Sequence, residues 1–118
     1  MSDRYEEITQ KYLQFLDLHI SDVVSGKSQE FMELNKISSE LAVSHKHLID
    51  ILKQTKGNHP CYFYDDKIIE KAKYLLINTE LSIAEIARKF TYDPSNFSKF
   101  FKKWTGKTPG QFRRDEKS

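Results

Sequence analysis

LSIAEIARKFTYDPSNFSKFFKKWTGKTPGQF, residues Leu81 to Phe112, is the stretch that decides the fold. Its first part spaces apolar residues along one face of a short helix. Ser82 is placed to cap that helix, and Glu85 completes a capping box in which each side chain takes up an otherwise unpaired backbone N–H. A tight break follows, then a second segment whose aromatics alternate with Ser and Lys. That segment ends on Gly106, and Thr108-Pro109 signals another helix start. Two short helices joined by a turn of about three or four residues are the sequence form of a helix-turn-helix, whose second helix can enter a DNA major groove. Taken alone, the pattern is weak.

It gains weight because the chain states it twice. Shifted by 49 positions, Met32, Leu34, Ile37, Leu41, Val43, Leu48, Ile51 and Leu52 fall on Leu81, Ile83, Ile86, Phe90, Tyr92, Phe97, Phe100 and Phe101. Lys53, Gly57, Pro60 and Phe63 fall on Lys102, Gly106, Pro109 and Phe112, identical in type. Ser38 meets Ala87, both small, where two helices of such a unit must approach closely. Solenoid arrays usually need at least about three units to bury a continuous core. Two units joined by a long helix instead imply tandem helix-turn-helix subdomains.

The rest of the chain fits an all-α frame. Ile8, Tyr12, Phe15, Leu16, Ile20 and Val23 predict an amphipathic helix over about 4–24, stopped by Gly26. His19 lies beside its apolar stripe and reads as a packed surface residue rather than a ligand. Phe31 and Met32 anchor a polar connector, and Leu34, Ile37 and Leu41 share one face of a short helix. Ser44 is an N-cap for a helix running to Lys56, burying Leu48, Ile51 and Leu52, with Gly57 as its left-handed stop. Pro60 opens a helix to about Asn78, with Phe63, Ile68, Ile69, Ala72, Leu75 and Leu76 as its apolar side. At ~1.5 Å per residue it spans about 27 Å. That length would hold two recognition helices about one DNA turn (~34 Å) apart. The expected organisation is an N-terminal helix with the first subdomain over 1–62, a linker helix over 60–79, and the second subdomain with a C-terminal helix over 80–118. About seven helices result.

Composition narrows the function classes. Hydrophobic residues make up 38% of the chain, enough for a modest core and too many for a disordered one. Apolar runs are too short for a membrane-spanning helix, and the acidic start MSDRYEEITQ lacks a secretory layout. The single cysteine, Cys61, forms no internal disulfide, which fits a reducing cytoplasm. Residues 1–81 hold ten Lys/Arg and thirteen Asp/Glu, whereas residues 82–118 hold nine and four, so −3 faces +5. Basic charge gathered at one end points to a polyanion partner there.

IAEIA at Ile83–Ala87, DPSNFSKFFKKWTG, and KTPGQFR at Lys107–Arg113 closely resemble the AraC/XylS family of transcription regulators. The first unit matches more loosely through ISSELAVSHKHLIDILKQTKG. The resemblance covers about residues 10–114. It implies a seven-helix, two-lobed DNA-binding domain that acts at promoters, often by contacting RNA polymerase. Most members also carry a ligand-sensing domain. This chain has no room for one and resembles a short stand-alone member or an excised C-terminal domain. The turn position commonly filled by Gly is Ala42 in the first unit and Thr91 in the second. A left-handed backbone there would cost a non-Gly residue about 1 kcal/mol, unless the turn is shaped differently.

The side of each second helix opposite its apolar stripe should face the groove. In the first unit that row is Lys46, Ile49, Asp50 and Lys53; in the second it is Ser95, Ser98, Lys99 and Lys102. The resemblance also assigns base reading to positions 46, 49, 50, 95, 98 and 99. Lys99 suits guanine O6/N7, Ile49 a thymine methyl, and Asp50 a cytosine N4 amine. Lys102, Lys103 and Lys107 suit phosphates, Asn96 an adenine edge or a phosphate, and His45 and His47 phosphates near a helix start. Two His at i, i+2 on a helix diverge, so His45, His47, His59 and Cys61 give no tight metal set. No nucleophile–base pair, phosphate loop or paired carboxylates stand out, so neither an enzyme nor a cofactor is expected. The expectation is a sequence-specific regulator of double-stranded DNA in the cytoplasm, with a DNA-binding unit able to act as a monomer. The alternative is an all-α protein-interaction module on the same scaffold.

Overall fold

Helix ends in this chain are set by single residues that satisfy backbone groups. A computed structural model describes residues 2–117, and among them it contains seven helices and no strand: α1 (Ser2–Ser25), α2 (Leu34–Glu40), α3 (His45–Lys56), α4 (Pro60–Asn78), α5 (Ile83–Lys89), α6 (Pro94–Thr105) and α7 (Pro109–Lys117). Ser44 Oγ accepts the His47 N–H at the start of α3. Ser82 and Glu85 form the reciprocal capping box of α5. Thr108 and Gln111 make the same exchange at α7, with distances of 2.9 and 3.1 Å. Gly57 and Gly106 stop α3 and α6 at φ 79° and 84°, in the left-handed region.

The internal repeat holds at the level of the backbone. Ala42 and Thr91, 49 residues apart, both take φ 60°. The hydrogen bond that closes the first turn, Val43 N–H to Ser38 O, recurs as Tyr92 N–H to Ala87 O, each at 3.0 Å. Both turns therefore adopt the left-handed conformation without glycine.

Two compact units result: residues up to Ser21 with Phe31–Lys67, and Asp22–Glu30 with the chain from Ile68 onward. The division cuts α1 after Ser21 and α4 after Lys67. The core of the first unit is mainly aliphatic, with Ile8, Leu16, Ile20, Ile37, Leu48, Ile51 and Leu52 around the buried Tyr12. Tyr12 donates to Pro60 O at 2.9 Å, and burial raises the pKa of its phenol. Thr9 is fully buried beside it and shares a 2.7 Å hydrogen bond with Thr55.

Three side chains depart from their expected places. His19 is buried, not on the surface: its Nε2 accepts the Met32 N–H at 2.9 Å, and its ring lies against Phe15, Phe31 and Tyr64. On α4 it is Tyr64 that is buried, while Phe63 is half-buried, because the Tyr64 hydroxyl reaches Met32 O at 2.9 Å. In the second unit Phe97 and Phe101 are fully buried, but Phe100 is half-buried, edge-on to Tyr92.

The second unit packs the same repeat positions with aromatic rings. Phe90 stacks on Phe97, and Phe101 meets Phe112 of α7 edge-on. Arg113 of α7 donates through Nε to Leu76 O at 2.9 Å and through Nη2 to Thr79 O at 3.3 Å. Those bonds satisfy carbonyls left unpaired at the end of α4.

Candidate nucleic-acid interface

α3 buries Leu48, Ile51 and Leu52 completely. The helical period therefore turns Lys46, Ile49, Asp50 and Lys53 to the other side. His45, Lys46, Asp50 and Lys53 are exposed, and Ile49 and His47 are half-buried. The His47 ring meets Tyr5 of α1 edge-on at 5.6 Å, so it is less available to a phosphate than His45. Ile49 lines a cleft of about 400 Å³ beside α3, together with Leu34, Asn35, His45, His59 and Cys61 among others. Asn35 on that cleft was not singled out by the sequence pattern; it is one of five polar residues on α2, and its repeat partner is Ala84. Burial and the Asp65 charge raise the Cys61 thiol pKa, which disfavours the reactive thiolate. Among the described residues no group of three or more His, Cys, Asp or Glu converges as metal ligands would.

α6 presents a cleaner surface. With Phe97 and Phe101 inward, Ser95, Asn96, Lys99, Lys102 and Lys103 are exposed and Ser98 is half-buried. Its N-cap, Asp93, accepts the Ser95 and Asn96 backbone N–H groups, so that carboxylate is engaged at the helix start. Lys102 and Lys103 stand in the last turn, where they also complement the helix dipole. Lys107, just beyond, pairs with Asp115 at 2.7 Å. The hydrogen bond and charge of Asp115 raise the Lys107 pKa, and Lys107 lowers that of Asp115. The pair is exposed, so water already competes with it and a phosphate could displace the carboxylate.

Residues 37–115, two helix-turn-helix units in tandem, match the family described as a helix-turn-helix domain. The chain is also 33% identical to the C-terminal domain of AraT, a response regulator from Geobacillus stearothermophilus, covering 92% of this chain and 84% of that one with a TM-score of 0.78. The chain belongs to the AraC/XylS family of transcription regulators. What it carries of that family is the DNA-binding domain. The Msm operon regulatory protein of Streptococcus mutans is 28% identical over 97 residues, which cover 81% of this chain and 35% of that protein. This chain thus spans about a third of the length of such curated relatives. The DNA-binding domain of AdpA, solved in complex with a target DNA, shares the fold at a TM-score of 0.67 and 18% identity, covering 82% of this chain and 91% of that one.

Proposed function

We propose that this AraC/XylS domain reads double-stranded promoter DNA by inserting α3 and α6 into successive major grooves. The row on α6 opposite its buried stripe, without an acid among Ser95, Asn96, Ser98, Lys99, Lys102 and Lys103, carries this reading. Lys99 would read guanine O6/N7, and Ser95, Ser98 and Asn96 would add hydrogen bonds to base edges. Lys102, Lys103 and Lys107 would hold phosphates and set the position on the duplex. On α3, Ile49 would meet a thymine methyl and Asp50 a cytosine N4 amine, with Lys46, Lys53 and His45 beside them. One chain would suffice for two grooves, so the binding unit acts as a monomer. It works in the cytoplasm without catalysis, with RNA polymerase as its second partner at the promoter.

Selection of bound duplexes from a random pool tests this. The expected result is two short submotifs spaced by about one helical turn, ~10–10.5 base pairs. A bound pool without sequence preference, or no salt-sensitive binding at micromolar protein, would overturn it.

A further inference from the structure

The second unit carries a surface that the DNA row does not use. At Gly26, φ 87°, the chain leaves α1 and folds back, with Gly26 N–H bonded to Val23 O and Ser28 N–H to Asp22 O. This return and α5 flank a cleft of about 520 Å³. Val24 and Leu81, with the buried Val23 beneath, give it apolar walls, Ser25, Ser28, Gln29 and Thr91 give it polar groups, and Arg88 and Lys89 bring two cations beside one carboxylate, Glu85.

Each part has a local cause. α5 buries Ile86 and Ala87, so its period leaves Glu85, Arg88 and Lys89 outward. The Glu85 carboxylate is drawn to the start of α5, where it accepts the Ser82 N–H. Arg88 and Lys89, in the last turn, have no salt bridge or side-chain hydrogen bond among the described residues. The α6 residues Ser95, Asn96, Ser98, Lys99, Lys102 and Lys103 do not line the cleft.

Two cations with apolar walls select the chemistry of the occupant. Phosphates need cations and donors but gain nothing from Val23, Val24 and Leu81. An acidic peptide bearing one or two large apolar side chains uses both features, the apolar group for affinity and the flanking carboxylates for orientation. We propose that this cleft docks an acidic, apolar-anchored segment of a partner protein. Its residues are separate from the DNA row, so the segment and a duplex bind without competing for the same side chains.

A fluorescent twelve-residue peptide alternating Asp/Glu with Leu/Phe is the probe, titrated into the whole chain and followed by anisotropy and backbone amide NMR. Controls carry Lys for the acids or Ser for the apolar residues. The acidic-apolar peptide is expected to shift amides of Ser25–Gln29, Leu81 and Thr91, with the two controls about tenfold weaker or more. Arg88→Glu with Lys89→Glu should abolish that binding. Arg88→Gln with Lys89→Gln, milder for the end of α5, should weaken it in the same direction. No binding of the acidic-apolar peptide, equal binding of either control, or shifts outside the cleft would overturn the proposal. So would a loss of duplex binding in the Gln pair as large as that of Lys102→Ala, which would make the cleft a DNA surface. Duplex binding is measured on the unaltered chain separately, so its failure would count against promoter reading and not against this cleft.

Discussion

Ala42 and Thr91 hold φ 60° where Cβ is crowded by the carbonyl, a conformation that costs a non-Gly residue about 1–2 kcal/mol. Both side chains are exposed, so neither is kept there by packing. Ala42→Gly and Thr91→Gly should each stabilise the fold by about 1 kcal/mol, part of the relief being offset by the freer unfolded chain. Thermal melts should show the midpoint rising by a few degrees for each, about 4 °C or more. An unchanged or lowered midpoint would mean that these turns are not strained. His19 is the opposite case, a buried polar side chain whose Nε2 accepts the Met32 N–H. His19→Leu keeps much of the volume but leaves the Met32 N–H without its acceptor, so denaturant unfolding should show a loss of about 1–3 kcal/mol.

Among the helices, α5 shows most directly how a cap couples to pH. Glu85 accepts the Ser82 backbone N–H and interacts with the Ser82 side chain, and these bonds, with smaller help from Arg88 and Lys89, lower its pKa. A depressed folded pKa means the stabilisation is present above the ordinary unfolded value of about 4.3 and is lost as pH falls through the folded one. Glu85→Ala should therefore melt below the parent at pH 7, and the two melting curves should converge in acid. A constant gap down to pH ~3 would show that the carboxylate charge is not what caps α5. Helix ends of this kind were legible in the sequence, because Ser44, Ser82, Gly57, Gly106 and Pro60 each act through their own backbone neighbourhood. Which side of a helix lies inward was less so. Phe63 and Tyr64 are adjacent on α4, and the choice between them falls to Met32 and His19, partners 32 and 45 positions away. The exposure of Lys46, Asp50, Lys53, Ser95, Lys99 and Lys102 was legible because the repeat marks the buried stripe twice. Tyr5 against His47 and Asp115 on Lys107 were not, since each contact comes from a different helix.

Across the whole molecule the two units differ in charge more than in form. The first holds seven Lys/Arg against nine Asp/Glu, the second twelve against eight, so −2 stands beside +4. Phosphate attraction rests on Lys and Arg, so the second unit should contribute more of the affinity. The rows repeat this imbalance locally. Lys46 has Asp50 four positions on, an opposite charge on the same face, whereas Lys99 has Lys102 and Lys103 at the corresponding spacing. Removing Lys99 therefore takes charge from the more positive surface, and removing Lys46 leaves Asp50 without its counter-charge on a less positive one. Lys99→Ala and Lys46→Ala are to be compared on one selected duplex over a range of salt. Lys99→Ala should cost more affinity, about 1–3 kcal/mol with relaxed preference at one base if it reads guanine. If Lys99 meets a phosphate instead, the loss should be uniform across sequences, with the salt slope reduced by about 1. A clearly larger loss from Lys46→Ala would reverse the ranking and put the main grip in the first unit, despite its negative charge.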